Sequence, residues 1–222
     1  MPSVHRIARL GLVNAYLVEE EDGLTLVDTL VAGSAKRLLE AAQALGRPVT
    51  RIAITHGHVD HVGSLDALRA ALPGAEVAVG AREAKLLAGD LTPEPGEAAK
   101  PRSFNFPKLK SAPDRLLAPG DRVGSLEVHG AAGHSPGQIA FLDTRDRTLY
   151  CGDALHSFGG ELHVTDRGTR RFPFPSVVVF DPAAARRTGR ELSALEPARV
   201  APGHGRVIEA PAESLRRATG VG

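Results

Sequence analysis

Residues 54–64 read "ITHGHVDHVGS", which puts His56, His58, Asp60 and His61 within six positions behind an apolar Ile-Ala-Ile lead-in. Imidazole and carboxylate suit borderline-to-hard cations such as Zn²⁺, Fe²⁺ or Mn²⁺ and do not select soft metals. A lone histidine is usually a surface residue or a satisfied core residue. Four such groups side by side are different, because burying them without a partner is severely destabilising. Leaving them exposed would not account for the apolar lead-in or the glycine spacing. Three more donors stand in the same context: His134 in "GHSPGQ", Asp153 in "CGDAL" and His204 in "PGHG". Each follows a predicted strand and is flanked by Gly or Pro, where glycine allows close backbone approach. Seven groups exceed the needs of one tetrahedral ion. Two ions sharing a carboxylate would use them all and leave room for water. His56 and His58, two apart on extended chain, can point the same way. Asp60 and His61 fall where the next helix begins and turn toward a different point, so the spacing predicts two adjacent ions.

These groups need a scaffold that ends its strands on one edge. Residues 4–10, 12–20 and 24–29 read as strands, with "EEEDG" a turn. Residues 34–45 show helical periodicity with Ser34 as N-cap and Gly46 as stop. A strand over 49–54 leads into the histidine cluster. Residues 62–72 read as a helix, "EVAVG" as a strand and 81–88 as a helix. Strands near 125–131, 138–143 and 147–152, a helix over 181–195, a strand over 198–201 and a helix over 211–218 complete the pattern. Each half reads as a sheet with helices on one side, which favours a layered α/β sandwich. Residues 89–115 and 157–180 lack periodicity, and loops of that length inside a compact domain usually have a job.

The chain has 222 residues, enough for one domain over 1–222 with a sizeable core. A net charge of +1 points to neither nucleic acid nor a membrane surface as partner. No apolar run approaches the roughly 18 residues of a membrane helix. The first residues do not read as a signal peptide, so the expected compartment is the cytoplasm. The single cysteine, Cys151, excludes an internal disulfide and reads as a small buried residue at a strand end. The expected partner is a small-molecule substrate, with a homodimer left open.

"THGHVDHVGS", "GHSPGQ", "GDAL" and "PGHG", in this order, resemble the metallo-β-lactamase-fold hydrolase superfamily, in its lactonase and glyoxalase-II-like branch. "VNAYLV" and "LVDTL" near the start match it too. The resemblance runs from residue 12 to about 208. It implies a four-layer αββα sandwich of two mixed sheets with outer helices and metals at one edge. It implies that His56, His58 and His134 hold the first ion, that Asp60, His61 and His204 hold the second, and that Asp153 bridges them. Asp28 in "LVDTL" matches a position that supports the metal loop. The cofactors expected are two divalent ions, zinc foremost, with iron or manganese as alternatives.

The reaction expected is hydrolysis of a small ester, lactone or thioester by a metal-bridging hydroxide. Two ions lower the pKa of a shared water from near 16 toward about 7 and stabilise the developing oxyanion. Asp60 is the candidate to take a proton from the nucleophile and pass it to the leaving group. His156, three residues after Asp153, stands where lactonase-like relatives resemble one another in a tyrosine, and is a candidate donor or acid. His5, His129 and His163 receive no role. Phe104, Phe106, Phe172 and Phe174 are candidates either to line an apolar pocket or to anchor the long loops. Lys108, Lys110, Arg170 and Arg171 are weaker candidates for attracting an anionic substrate. A glyoxalase-II-like enzyme is expected to carry a helical C-terminal extension, and 18 residues follow His204. A true β-lactamase would be exported and tends to lack the bridging aspartate. The alternatives kept are a mononuclear iron sulfur dioxygenase of the same fold and an RNA- or phosphodiester-processing hydrolase. The basic stretch "KPRSFNFPKLK" over 100–110 is short for gripping RNA.

Overall fold

The structure is a computed structural model that describes residues 4–97, 106–110, 112–167 and 178–220. Its first sheet runs in the order β1 (His5–Arg9), β2 (Val13–Glu20), β3 (Gly23–Val27), β4 (Val49–Ile54), β5 (Glu76–Gly80) and β6 (Arg115–Leu117). Its second runs β14 (Ile208–Glu209), β13 (Arg199–Pro202), β10 (Thr148–Gly152), β9 (Ile139–Asp143), β8 (Leu126–Gly130) and β7 (Arg122–Val123). Both sheets are mixed: β3–β4–β5–β6 and β10–β13 pair parallel, and the other neighbours pair antiparallel. A small hairpin of β11 (Leu155–His156) and β12 (His163–Val164) lies apart from both.

The two-residue period of a strand sorts side chains between layers. In β4, Ile52 and Ile54 join a cluster with Leu38 and Ala42 of α1 (Ala35–Ala44) and Leu65 and Leu68 of α3 (Leu65–Ala71). Ala53, between them, faces the other way, into a cluster with Tyr16, Leu126, Phe141 and Tyr150. In β10, Leu149 and Cys151 face a third cluster with Ala185 and Leu192 of α5 (Pro182–Ala194) and Leu215 and Ala218 of α6 (Ala212–Thr219). Three clusters between four layers make an αββα sandwich. Both faces of each sheet are covered, so these strands read as near-continuous apolar runs.

The helix expected over 62–72 is two pieces, α2 (Val59–Val62) and α3, broken at Gly63-Ser64. A side chain at Gly63 would lie 2.4 Å from the backbone nitrogen of Ala32, so the turn between the two pieces has room only for glycine. Of the stretches expected to be irregular, 157–180 contains the two-residue β12, and β6 begins at the last residue of 89–115. α4 (Ala81–Leu87) follows β5 directly. Among the described residues no helix is long and apolar enough to cross a membrane.

Candidate metal centre

β3, β4 and β5 run in one direction in the first sheet, and β8, β10 and β13 share one in the second. Asp28 follows β3, the cluster 56–61 follows β4, His134 follows β8, Asp153 follows β10 and His204 follows β13. The two edges are sewn together: the Ile139 N–H donates to Thr55 O at 3.0 Å, and the Asn14 N–H donates to Gly203 O at 2.8 Å. An isolated bridge pairs Val13 with His204. Ligand-bearing loops from both sheets therefore meet at one edge.

All seven candidate donors lie in this one place. His56, His58 and His134 present ligand atoms within 4.8 Å of one another; so do His56, His61 and Asp153, and so do Asp60, His61 and His204. Asp153 stands between the groups. Its Oδ1 is 3.2 Å from His61 Nε2, and its Oδ2 is 3.3 Å from His134 Nε2 and 3.1 Å from His204 Nε2. Asp60 Oδ2 lies 3.3 Å from His204 Nε2 and 3.9 Å from His61 Nε2. His56 Nε2, His61 Nε2 and Asp153 Oδ1 are buried without a hydrogen-bond partner. Orphaned donor atoms facing one point are what a cation cage leaves when the cation is set aside. The donor set fits divalent ions of the zinc, iron or manganese type.

The far side of each ring is held. Asp28 Oδ2 lies 2.8 Å from His61 Nδ1 and accepts the Thr55 hydroxyl at 2.8 Å, and Thr55 Oγ1 is 3.1 Å from His56 Nδ1. One carboxylate thus orients two of the candidate ligand rings, His56 through a hydroxyl. Asp28 sits at φ 60°, a left-handed conformation that costs on the order of 1–3 kcal/mol and marks a functional constraint. Thr165 Oγ1 is 3.0 Å from His134 Nδ1. His204 Nδ1 donates to Leu12 O at 2.8 Å, which turns Nε2 toward the carboxylates. The turn carrying His204 is clamped by Asn14, whose amide donates to Pro202 O at 2.8 Å and Gly205 O at 2.9 Å, and by the Tyr16 hydroxyl, which donates to Pro202 O at 2.7 Å.

The electrostatics split the cluster. Burial pushes His56 and His58 well below the usual imidazole range and His134 down to about 4, so these three rings are neutral and ready to ligate. Burial opposes charge on His61 and His204 as well, but carboxylates outweigh it. Asp153, Asp28 and Asp60 push His61 well up, and Asp153 and Asp60 push His204 up to about 10. Burial likewise opposes ionisation of Asp60 and Asp153, and the neighbouring histidines overcome it, so both are held below the usual carboxylate range. The negative field of these carboxylates draws positive charge, as protons here and as cations when they bind.

His156 is buried in the β11–β12 hairpin, where its Nε2–H donates to Arg167 O at 2.9 Å. Burial lowers its pKa, so Nδ1 remains a lone pair. In this tautomer the ring accepts; it offers no proton to a substrate. The stacked partner of His156 is His163, at 5.3 Å between ring centroids. His5 lies beside Glu19 and His129 beside Glu127. Cys151 is fully buried, and burial raises its thiol to about 12, which removes it as a nucleophile at neutral pH. Phe106 is buried with its ring 4.9 Å from that of His58. Phe158, which spacing did not single out, stacks on His204 at 5.8 Å. Lys108 and Lys110 are described, and Lys110 donates its backbone N–H to Asp66 at 3.3 Å. Phe104, Phe172, Phe174, Arg170 and Arg171 lie outside the described residues.

Comparison with known proteins agrees with this architecture. The model of the metallo-beta-lactamase superfamily matches residues 8–204. The uncharacterized protein YobT of Bacillus subtilis is 39% identical over 207 residues, covering 93% of this chain and 88% of that protein. A hydroxyacylglutathione hydrolase of Rhodospirillum rubrum is 33% identical over 162 residues, covering 70% of this chain and 53% of the relative, so the chain spans about half of that enzyme's length. Among solved structures, TTHA1623 in a di-iron-bound form superimposes with a TM-score of 0.69 at 29% identity over 96% of each chain. The BLEG-1 B3 metallo-beta-lactamase, at 22% identity and 96% of each chain, superimposes equally well with a TM-score of 0.69, a likeness of fold. The chain belongs to the metallo-β-lactamase superfamily.

Proposed function

We propose that the chain is a hydrolase holding two divalent cations, zinc foremost, that cleaves a small ester, lactone or thioester. The convergence of seven donors around Asp153 carries this reading. Two cations there supply Lewis acidity and a water acidified from near 16 toward about 7. The chain's own residues do the rest. Burial keeps His56, His58 and His134 neutral. Asp60 is partly exposed at the mouth and kept ionised by His61 and His204. Its carboxylate is placed to take a proton from an attacking water and hand it to the leaving group. Phe106 and Phe158 give the mouth apolar walls, and Val59 between His58 and Asp60 is 47% exposed. That lining suits an apolar acyl group. An acylglutathione is a thioester, so the hydroxyacylglutathione hydrolases among the relatives favour the thioester branch. The partner in this reading is a small molecule and the compartment the cytoplasm. The di-iron form of TTHA1623 keeps iron as the alternative metal.

The test is a hydrolysis screen over lactones, thioesters, aryl esters and phosphodiesters, run with quantification of bound metal. On the best substrate, Asp60→Asn is expected to lower kcat by roughly 10²–10³-fold, in the range of general acid–base catalysis. Full activity in that variant would remove the role given to Asp60. His156 acts here by holding the segment that carries Thr165, the neighbour of His134. His156→Phe is expected to lower turnover about tenfold with both metals retained, as for loss of an outer support. Unchanged kinetics would end that idea.

A further inference from the structure

Glu83, on α4, is a fully buried carboxylate that none of the chemistry above uses. Its Oε2 accepts the backbone N–H of Gly57 at 2.7 Å. Its Oε1 accepts the backbone N–H of Gly137 at 2.8 Å and the hydroxyl of Ser135. Gly57 sits between His56 and His58, and Ser135 follows His134. One side chain therefore spans the two loops that supply the His56–His58–His134 group.

The packing leaves those loops nowhere else to rest. A side chain at Gly57 would lie 3.1 Å from Glu83 Oε2 and from Leu87, and one at Gly137 would lie 2.4 Å from the Cβ of Arg82. Arg82, the neighbouring cation, is turned away and forks onto Glu97 at 2.6 and 3.0 Å. Burying a carboxylate is costly unless its oxygens are filled with donors. A carboxylate is also the side chain that can accept from three donors across two oxygens; an amide brings one acceptor oxygen and two donors. A neutral or apolar residue would fill the same space without fixing the distance between the loops.

We propose that Glu83 is a positioning residue for the first cation. It sets the separation of the 56–58 and 134–137 loops, and so the geometry and affinity of the His56–His58–His134 group, while His61 and His204 are held from behind by Asp28 and Leu12. The proposal rests on the two-cation reading. In Glu83→Gln the amide nitrogen faces either the Gly57 N–H or the Ser135 and Gly137 donors, and one loop is released.

The experiment titrates metal-free protein with Co²⁺, following heat and visible absorption. Wild type is expected to bind two ions; if it binds fewer, the two-cation reading fails before Glu83 is tested. The absorption band lost in His134→Ala marks the first ion, and the band lost in His204→Ala marks the second. In Glu83→Gln the first band is expected to shift and its affinity to fall about 10–100-fold, with the second unchanged. Ser135→Ala keeps the charge and removes one donor, so it should move the first band the same way by a smaller factor. It also keeps the proposal testable if Glu83→Gln does not fold. Equal losses at both ions, or no change at the first in a folded variant, would overturn it.

Discussion

Asparagine in place of Asp153 is expected to lower kcat/KM by roughly 10³-fold or more, about 4 kcal/mol of transition-state stabilisation, and to leave the chain unable to hold two ions. The reason is placement. Among the seven donors, Asp153 has one oxygen 3.2 Å from His61 and the other 3.3 Å from His134 and 3.1 Å from His204. It reaches both ligand groups, and its charge is the largest contribution holding up the pKa of His61 and His204 against burial. An amide removes that charge and turns an N–H₂ toward imidazole lone pairs. A collapsed fold would give the same loss, so stability must be measured too. In the metal-free chain Asp153 is paired with His61 and His204, so the metal-free variant should melt below the metal-free wild type, and its metal content is read at a temperature where it is folded. Metal per chain, turnover and melting together check the prediction; a fully active variant with two ions would contradict it.

A single methyl group should do comparable damage from the other side. A Cβ at Gly203 would lie 2.3 Å from Asp153 Oδ1, 2.6 Å from His61 Cε1 and 3.2 Å from the carbonyl carbon of Gly152. The turn cannot yield, because the Gly203 N–H donates to Gly152 O at 2.7 Å while its carbonyl accepts from Asn14 at 2.8 Å. Gly203→Ala must push the Asp153 carboxylate and the His61 ring aside. We expect at least a 10²-fold fall in kcat/KM, the scale on which displacements of about 1 Å act. Gly74→Ala is the control, since a Cβ there meets nothing within 4 Å. Equal activity in the two variants would show that the turn relaxes.

Much of this was legible because metal chemistry restricts residue types. His56, His58, Asp60 and His61 could be singled out from the sequence because their clustering has no cheap structural explanation. The strand over Val49–Ile54 and the helix over Ala35–Ala44 lie within a residue of where periodicity puts them. Strands of two or three residues, such as β7 and β14, are too short for any period to emerge. The need for glycine at 63 comes from Ala32, which is remote in sequence and adjacent in space. Residues that hold ligands from behind were hidden for the same reason. Glu83 reads as an ordinary helix acid, and its one local signal is that Leu86 and Leu87 place it on the buried face. Asn14 reads as a polar residue in a strand, and its partners are nearly two hundred positions away. The donor or acid expected of His156 is instead a ring whose proton is already given to Arg167.

The central claim is that one edge of the sandwich cages two cations with donors from both sheets. Anomalous scattering from crystals of the metal-loaded protein addresses it most directly. The account predicts two peaks, one among His56, His58 and His134 and one among Asp60, His61 and His204, with Asp153 between them. A single iron on two histidines and an aspartate, or no ion at this edge, would contradict it.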